Sequence, residues 1–429
     1  MYGRSAVFAG VKLPITGKST FRQMAVVVWL LAMFSCLWVG CRKRELIEPT
    51  PGMEISERLW MRVLLFEDIR ACTLSAPGGF SAVDVATRSR TNFGKKDGAV
   101  EVGVSSGRIV VAGKLLGREV VIRPGRPFVV SVNGKRYRGN LRLTARADAR
   151  SFDVINSLSV EAYLAGVVGA EMPSYWEPEA LKAQAIVSRT YGLFIKRSFG
   201  AGRKWDVRRT QANQIYGGVS AESATVWAAV NETAGAVLTC KGADGQEGIF
   251  PTYFSSTCGG HTQNSKDVFG DSYSALVGVQ CPYCRDVAKM SFYFWPMAEF
   301  EADEVSEKLI KRYPKLAGLK EIEAIEPFKV SEYDRFGRIT SVRLIGKDGK
   351  SGYLRGEDLR LTVDPSGTKI RSAACEILKV GDKFRFYAGR GYGHGVGMCQ
   401  CGAQGMARRG KSCEEILSYY YPGSKIMRD

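Results

Sequence analysis

The sequence predicts an α+β protein, with a β-rich N-terminal region, a helical segment packed with strands, and a second β-rich portion. Between residues 61 and 154 short apolar runs alternate with glycine turns, which is typical of strands. After residue 155 apolar residues recur at helical spacing, and from about 320 to 388 short strands return. A chain of 429 residues, 45% of them hydrophobic, is long enough for two or three domains.

The first 41 residues predict an export segment. An apolar run extends from Met24 to Gly40, basic residues precede it, and no acidic residue occurs before Glu45. Cys41 follows Leu-Trp-Val-Gly, a loose match to a lipoprotein cleavage site. An uncleaved membrane anchor, a lipoprotein and a simply secreted protein remain open, with a buried core helix as the structural alternative. Export by any of these routes places the rest of the chain outside the cytoplasm. The expected location is the cell envelope, with a membrane-anchored protein or lipoprotein facing the periplasm or another extracytoplasmic space.

The chain is strongly basic. Its formal net charge of +18 predicts attraction to polyanions such as nucleic acid, an anionic membrane surface or an acidic cell-wall polymer. The sequence has no RNA-binding aromatic signature and no long basic helix, so nucleic acid is not an expected partner.

The elements follow in order after a polar linker over residues 42–60. In the β-rich region, residues 61–154, Asn133-Gly134 predicts a hairpin because both residues tolerate a positive φ. The helical segment, residues 155–290, opens with Ser159, which can cap a helix. A second helix is expected from Pro178, which suits a first helical position.

Further elements complete the predicted organisation. A third helix is expected from Ala221 to Thr233, and a fourth over residues 300–315. The latter lies in a β-rich inserted portion, residues 291–388. A glycine-rich strip and a final helix through Glu414 and Leu417 occupy residues 389–429 and complete the domain that the helical segment begins.

Histidine is scarce, and this restricts the chemistry. Only His261 and His394 occur, which excludes a His-Glu-x-x-His helix and an open two-histidine metal site. A catalytic mechanism is therefore expected to rest on a carboxylate.

One constellation has the spacing of a metal site. Cys258-Gly-Gly-His261 and Cys281-Pro-Tyr-Cys284 predict a closed tetrahedral zinc site with these four ligands. Because four protein ligands leave no open position, this zinc would be structural, and no cofactor is needed for chemistry. Two disulfides, or one disulfide with free thiols, remain the alternatives in an exported protein.

A single glutamate stands out between two predicted helices. Glu171 lies in Gly169-Ala-Glu-Met-Pro173, where proline redirects the chain and the acidic side chain can project into a groove. Flanking apolar residues could desolvate Glu171 and raise its pKa, as an acid catalyst needs. The alternative is a helix cap or a surface charge.

The glycine-rich strip runs from Gly389 to Gly405. Glycine at alternate positions bares one face of an extended chain, so that a flat ligand or another backbone could approach closely. Tyr392, His394 and Gln400 would supply polar and stacking groups. The alternative is a tightly packed internal strand.

Three segments together resemble the stage II sporulation protein D family, which includes the LytB amidase enhancers. They read VEAYLAGVVGAEMPSYWEPEALKAQAIVSRTYGL, YFSSTCGGHTQNSKDVFG and GRGYGHGVGMCQCGAQGMARRGKSCEEILSYYYPGSKI, in that order. The resemblance covers roughly residues 60 to 426. The sequence departs from the family at Cys399 and Cys401, where serine and tyrosine are usual, so a disulfide or a redox-sensitive pair is open there.

The resemblance implies a lytic transglycosylase that acts on peptidoglycan in cell-wall remodelling, at division or sporulation. Such enzymes cleave the β-1,4 bond between N-acetylmuramic acid and N-acetylglucosamine and leave a 1,6-anhydro end. The implied catalytic residues are Glu171, as the acid, and Arg189, which we assign to substrate because a cation on Glu171 would weaken it as an acid. The expected substrate-binding residues are Lys182, Gln184, Tyr191, Tyr392, His394 and Gln400.

The expected partners are peptide-stripped peptidoglycan glycan strands, a wall amidase, and the membrane through the N-terminal segment. Two other functions remain open. The first is a wall-binding protein without catalysis that enhances an amidase, and the second is a zinc-stabilised adaptor for a membrane complex, for which glycan would be irrelevant.

Overall fold

The computed structural model describes residues 60–242 and 245–428. The predicted export segment and nearly all of the predicted linker lie outside the described residues. Within the described part of the chain, no helix is long and apolar enough to span a bilayer. The predicted α+β class is confirmed, since helices and antiparallel sheets occupy largely separate parts of the chain.

The N-terminal region is β-rich, as predicted, with one short 3₁₀ helix among its strands. Its apolar residues alternate with polar ones along each strand, so one face of each sheet is buried and the other meets solvent. The strands are β1 (Trp60–Ile69), β2 (Ala71–Ser75), β3 (Phe80–Asp84), β4 (Arg90–Phe93), β5 (Val100–Ser105), β6 (Arg108–Val111), β7 (Lys114–Leu115), β8 (Glu119–Pro124), β9 (Val129–Val132), β10 (Lys135–Arg138), β11 (Asn140–Ala145) and β12 (Phe152–Ser159).

These strands form two sheets. One has the order β10-β9-β2-β5-β6-β7, and the other has the order β1-β12-β11-β8-β3-β4 with the short strand β13 (Val207–Arg208) added parallel to β1. The predicted hairpin at Asn133-Gly134 is confirmed. It joins β9 to β10 with Val132 opposite Lys135, and both turn residues have positive φ, 49° and 77°.

Helices begin where β12 ends. The side chain of Ser159 accepts a hydrogen bond from the Ala162 N–H and caps the first helix, as predicted. The helices are α1 (Val160–Glu171), α2 (Pro178–Phe199), α3 (Ala224–Glu232), α4 (Ser265–Val268), α5 (Met290–Tyr293), α6 (Ala302–Arg312), α7 (Gly356–Val363), α8 (Gln400–Ala407) and α9 (Cys413–Tyr420). Single turns of 3₁₀ helix lie at Lys95–Asp97, Gly218–Ala221, Pro314–Leu319 and Asp334–Phe336.

The remaining strands are short and follow α3. They are β14 (Ala236–Lys241), β15 (Glu247–Ile249), β16 (Phe254–Ser255), β17 (Phe294–Trp295), β18 (Ala298–Glu301), β19 (Ile322–Val330), β20 (Ile339–Gly346), β21 (Ser351–Arg355), β22 (Glu376–Val380), β23 (Lys383–Tyr387), β24 (Gly389–Arg390), β25 (Met398–Cys399) and β26 (Lys425–Arg428).

The inserted portion, from β17 to β23, has its own hydrophobic core. Strands β18, β22 and β23 form one sheet and β19 to β21 another, and side chains such as Leu309, Val342 and Phe384 are fully buried between them and α6. The expectation of strands alone between about 320 and 388 misses α7. That helix is amphipathic, with Leu359 and Val363 facing this core.

The glycine-rich strip is not one extended strand. Within the strip only β24 and β25 are strands, and α8 begins at Gln400, so the last third of the predicted strip is helical. β25 pairs in parallel with β16, with Ser255 opposite Cys399. This pairing brings the strip against the segment that holds Cys258.

Candidate functional site

A cavity of about 580 Å³ lies where four parts of the chain meet. Its walls come from the end of α1, the loop 211–215, the β16 segment with the following strip, and α7 of the inserted portion. Five of the residues predicted for the site line this cavity: Glu171, Tyr191, Tyr392, His394 and Gln400. The chain therefore brings together most of the predicted site from segments far apart in sequence.

Glu171 is the last residue of α1. Met172 leaves the helix with an extended backbone (φ −128°, ψ 145°), which directs the Glu171 side chain toward the loop 211–215. Its Oε1 accepts a hydrogen bond of 2.7 Å from the Ile215 N–H. Burial raises the pKa of Glu171 above its usual value, while the hydrogen bonds from the Ile215 N–H and the Gln400 amide act in the opposite direction.

Two other carboxyl groups line the cavity, and each is held by an arginine. Glu357 Oε2 accepts from both Nε and Nη2 of Arg360, at 2.9 and 2.7 Å, and its Oε1 is buried without a hydrogen-bond partner. Asp358 is held at both oxygens by Arg355. Among the carboxyl groups that line the cavity, only Glu171 has no arginine partner within the described residues.

His394 belongs to an aromatic group at one wall of the cavity. Its ring packs edge-on against Phe269 and Tyr253, with centroids 5.1 and 5.9 Å away, and its Nδ1 accepts from the Val396 N–H. Burial lowers the pKa of His394 to about 4. The imidazole is therefore neutral in the ordinary pH range and acts as an aromatic and hydrogen-bonding group.

Gln184 lies one layer behind the cavity. It is fully buried, accepts from the Gln400 amide at 3.4 Å, and donates to Ser188. Gln184 therefore orients Gln400, which touches Glu171, and does not itself line the cavity.

Two of the residues predicted for the site, Arg189 and Lys182, do not line the cavity. Arg189 has 2% of its surface exposed and binds Glu161 through Nε at 3.0 Å and Nη2 at 2.5 Å. Its Nη1 donates to the Ala236 carbonyl, so Arg189 ties α2 to α1 and β14 and does not line the cavity. Lys182 forms ion pairs with Glu179 and Glu232 on the outer face of α2 and is also outside the cavity.

A buried cluster of four cysteine thiols lies beside the site. The ligand atoms of Cys258, Cys281, Cys284 and Cys399 all lie within 4.8 Å of one another. The Cys258 N–H and the Gly402 N–H both donate to Cys399 Sγ, at 3.2 and 3.4 Å. A Cβ on Gly402 would lie 2.6 Å from Cys281 Sγ, so only glycine leaves room for this cluster.

The predicted ligand His261 is not part of this cluster, in which Cys399 is the fourth residue. The His261 ring stacks on Tyr333 at 4.1 Å, and its Nδ1 lies 2.6 Å from the Thr262 carbonyl oxygen. Sequence spacing favours the nearest histidine, whereas the fourth thiol arrives through the β16–β25 pairing. The departure from serine at position 399 is the signal in the sequence, which by itself indicates a disulfide or a redox-sensitive pair as readily as a metal ligand.

The glycines of the strip make room for a buried arginine. Arg338 of the inserted portion donates from Nη1 to the Gly393 carbonyl at 2.6 Å and from Nη2 to the Cys258 carbonyl at 2.8 Å. A Cβ on Gly391 or Gly395 would lie 2.9 or 2.7 Å from its guanidinium. The close approach predicted for this strip is therefore made by protein groups, and sequence reasoning missed Arg338 because an isolated arginine carries no pattern.

Comparison with known proteins gives a consistent result. Residues 148–240 match the SpoIID family, described as "Stage II sporulation protein". The chain is 31% identical over 283 residues to stage II sporulation protein D of Bacillus subtilis, covering 63% of this chain and 75% of that protein. It is 33% identical over 297 residues to an uncharacterized protein of Brachyspira hyodysenteriae, covering 69% and 74% of the two chains.

A third relative carries a different name. The amidase enhancer of Bacillus subtilis is 27% identical over 365 residues, which cover 77% of this chain and 50% of that protein.

Proposed function

The chain belongs to the stage II sporulation protein D family, and from this membership and the geometry of the cavity we propose that it is a lytic transglycosylase of the cell wall. The proposed reaction cleaves the β-1,4 bond between N-acetylmuramic acid and N-acetylglucosamine in peptidoglycan glycan strands. An envelope protein facing an extracytoplasmic space fits this substrate.

The observation that carries the proposal is the environment of Glu171. A general acid must hold its proton at the working pH, and burial raises the pKa of this carboxyl in that direction. The Ile215 N–H fixes one oxygen, at 2.7 Å, and the Glu171 side chain lines the cavity. An arginine in contact would favour the ionised form, and the described structure has none at Glu171.

A single carboxyl group is sufficient for this reaction. Glu171 gives its proton to the glycosidic oxygen as the bond to muramic C1 breaks. The C6 hydroxyl of the same sugar then attacks C1, and Glu171 takes the hydroxyl proton back. Water is not consumed, the acid is regenerated, and the effective concentration of the intramolecular nucleophile replaces a second catalytic carboxylate.

The other carboxyl groups of the cavity are poorly suited to serve as a second catalyst. Hydrolytic glycosidases use two carboxyl groups that flank the scissile bond. Both oxygens of Asp358 are bound by Arg355, and the free oxygen of Glu357 is buried away from solvent. Because neither Glu357 nor Asp358 is placed to act as a second catalytic carboxyl group, these contacts favour the intramolecular reaction over hydrolysis.

The four-cysteine cluster is proposed to hold a structural Zn²⁺ through Cys258, Cys281, Cys284 and Cys399. Four thiolates around a divalent ion leave a net charge of −2, and the N–H donors to Cys399 Sγ suit a thiolate. Arg338 is buried beside the cluster and has no carboxylate in salt-bridge contact among residues 60–242 and 245–428, so its charge would offset part of this excess. Bound zinc would supply cross-linking of three segments and no catalytic step.

A second candidate function is supported by the amidase enhancer relative. A protein of that kind would bind glycan and assist an amidase partner without cleaving the strand itself.

Glu171→Gln distinguishes these two functions. We expect this variant to lose at least about a hundredfold in turnover of peptide-free glycan strands, because the amide cannot donate the catalytic proton. Binding of the strand and the thermal unfolding temperature should be unchanged. The matched control is Glu177→Gln, which neutralises an exposed carboxylate in the next loop and should retain full turnover. Full turnover by Glu171→Gln, or none by the wild-type protein, would refute the assignment.

A further inference from the structure

A basic patch lies at the end of α2 and in the loop that follows. Its members are Arg197, Phe199, Arg203, Lys204, Trp205 and Arg208. Residues 196–209 contain six Lys and Arg and a single acidic residue, Asp206. Asp206 is fully buried and its carboxylate is bound by Arg62, so it does not neutralise the patch at its surface.

Two arginines of the patch, Arg203 and Arg208, lie over aromatic rings. The Arg203 guanidinium lies 4.9 Å from the Trp205 ring and 5.4 Å from Phe199, and Arg208 lies 4.8 Å from the Trp205 ring. Arg208 also pairs with Glu67, and Lys204 pairs with Glu119. Arg203 and Arg197 make no ion pair with any carboxylate in the described ranges. With its charge over the rings and no ion pair in the described ranges, the Arg203 guanidinium has N–H donors for a carboxylate.

The patch is continuous with the cavity. The Arg208 N–H donates to Asn213 Oδ1 at 2.9 Å, and Asn213 and Gln211 line the cavity. A cavity of about 580 Å³ holds a ligand of small-molecule size, so a polymeric strand must leave it across the neighbouring surface. The loop 203–213 provides such a surface, and on it Arg203 carries a positive charge that no ion pair among the described residues compensates.

We propose that this basic patch binds carboxylate groups of the glycan strand outside the cavity. This inference rests on the proposed function, which identifies the strand as peptidoglycan. It adds a second binding surface outside the cavity. Two sources on a peptidoglycan strand share this chemistry: the lactyl group of a muramic unit without peptide, and the acidic residues of a stem peptide. The patch positions the strand and takes no part in bond cleavage.

The test measures binding by the full chain carrying Glu171→Gln, so that turnover cannot consume the ligand. Arg203→Glu is compared with Lys315→Glu, which makes the same charge change at an exposed position of the inserted portion. The probes are peptide-free glycan strands, peptide-bearing strands, an uncharged N-acetylglucosamine hexamer, and phosphatidylglycerol vesicles. Arg203→Ala accompanies the reversal, and thermal unfolding verifies that each variant is folded.

We expect Arg203→Glu to weaken binding of a carboxylate-bearing strand about tenfold, and Lys315→Glu to leave it unchanged. Arg203→Ala should cause a smaller loss, and the uncharged hexamer should bind all variants equally. The strand preparation that shows the loss identifies the source of the carboxylate. Equal losses for Arg203→Glu and Lys315→Glu, or a loss confined to the vesicles, would overturn the proposal. Glycan cleavage by the otherwise wild-type chain is measured separately, so failure of the patch and failure of the proposed function are distinguishable.

Discussion

At the scale of single residues, the local environment of Glu171 separates it from the other carboxyl groups nearby. Glu357 and Asp358 line the same cavity but are bound by arginines. The charge of Arg360 favours the ionised form of Glu357. Glu171 meets an N–H group, an amide and apolar surroundings, and burial dominates its pKa. The same residue type thus has different chemistry at positions that share one cavity.

The raised pKa of Glu171 predicts how the rate depends on pH. The protonated form is the active acid, so kcat/KM should fall as pH rises through the pKa of Glu171, which lies above its usual value. His394, with a pKa of about 4, is already neutral in this range and cannot account for the fall.

The fall of kcat/KM with rising pH forms the basic limb of the pH profile. Its assignment to Glu171 is checked with Gln400→Leu. Removing the amide donor, which lowers the pKa of Glu171, should move the limb to higher pH. A rate that does not change between about pH 5 and 8, or a limb that moves to lower pH in Gln400→Leu, would contradict this account.

Arg189 has a structural role that can be measured. Arg189→Ala leaves the Glu161 carboxylate without its charged partner and the Ala236 carbonyl without its donor. We expect the free energy of unfolding to fall by about 3–5 kcal/mol, as for other broken buried ion pairs. Denaturant unfolding measures this loss, with Arg197→Ala on the exposed face of the same helix as the control. An equal and small effect of both substitutions would argue against the structural role.

Some of these residues could be found from the sequence and others could not. The position of Glu171 between a helix end and a proline indicates a side chain that projects into a groove, and in the structure Glu171 lines the cavity. The sequence alone cannot distinguish Arg189 from an arginine that contacts substrate. Only the packing of α2 on α1 and β14 shows that Arg189 is enclosed. Arg338 carries no sequence pattern at all.

At the scale of elements, the cysteine cluster joins three segments of chain. Cys258 follows β16, Cys281 and Cys284 lie in the loop before α5, and Cys399 ends β25. The next residue after Cys399 is Gln400, whose amide touches Glu171. A metal bound at the cluster would therefore fix the element that carries one wall of the site.

The ligand set predicts distinct effects for two substitutions. Purified wild-type protein should contain close to one zinc ion per chain. Cys399→Ser should lower the zinc content and the resistance to a chelator, because it removes one thiolate of the cluster. His261→Ala should keep the full zinc content, since His261 stacks on Tyr333 outside the cluster. Elemental analysis and chelator competition give both values, and a loss of zinc in His261→Ala alone would restore the ligand set that spacing favours.

The elements themselves were predictable to different degrees. The strands before residue 154, the Asn133-Gly134 hairpin and the Ser159 cap follow from local patterns, which the structure confirms. The helix α8 was missed because its glycines resemble an extended strip. Those glycines serve close packing instead, since a Cβ on Gly405 would lie 2.4 Å from the Tyr283 carbonyl oxygen.

At the scale of the described molecule, from residue 60 to 428, the inserted portion both folds on its own core and completes the site. Its core side chains are shared among α6, α7 and β18 to β23. Its α7 nevertheless lines the cavity, and its Arg338 holds the strip. The short strand-like runs predict a second β-rich portion. They do not predict its contact with the rest of the site, because the residues that make this contact are far apart in sequence.

The central claim is that one carboxyl group cleaves the glycan without water, and the ends of the products test it most directly. Peptide-free glycan strands are digested with the wild-type protein in water enriched in oxygen-18, and the fragments are analysed by mass spectrometry. The account predicts 1,6-anhydromuramic ends that contain no oxygen-18. Reducing ends that carry oxygen-18, or no new ends at all, would contradict it.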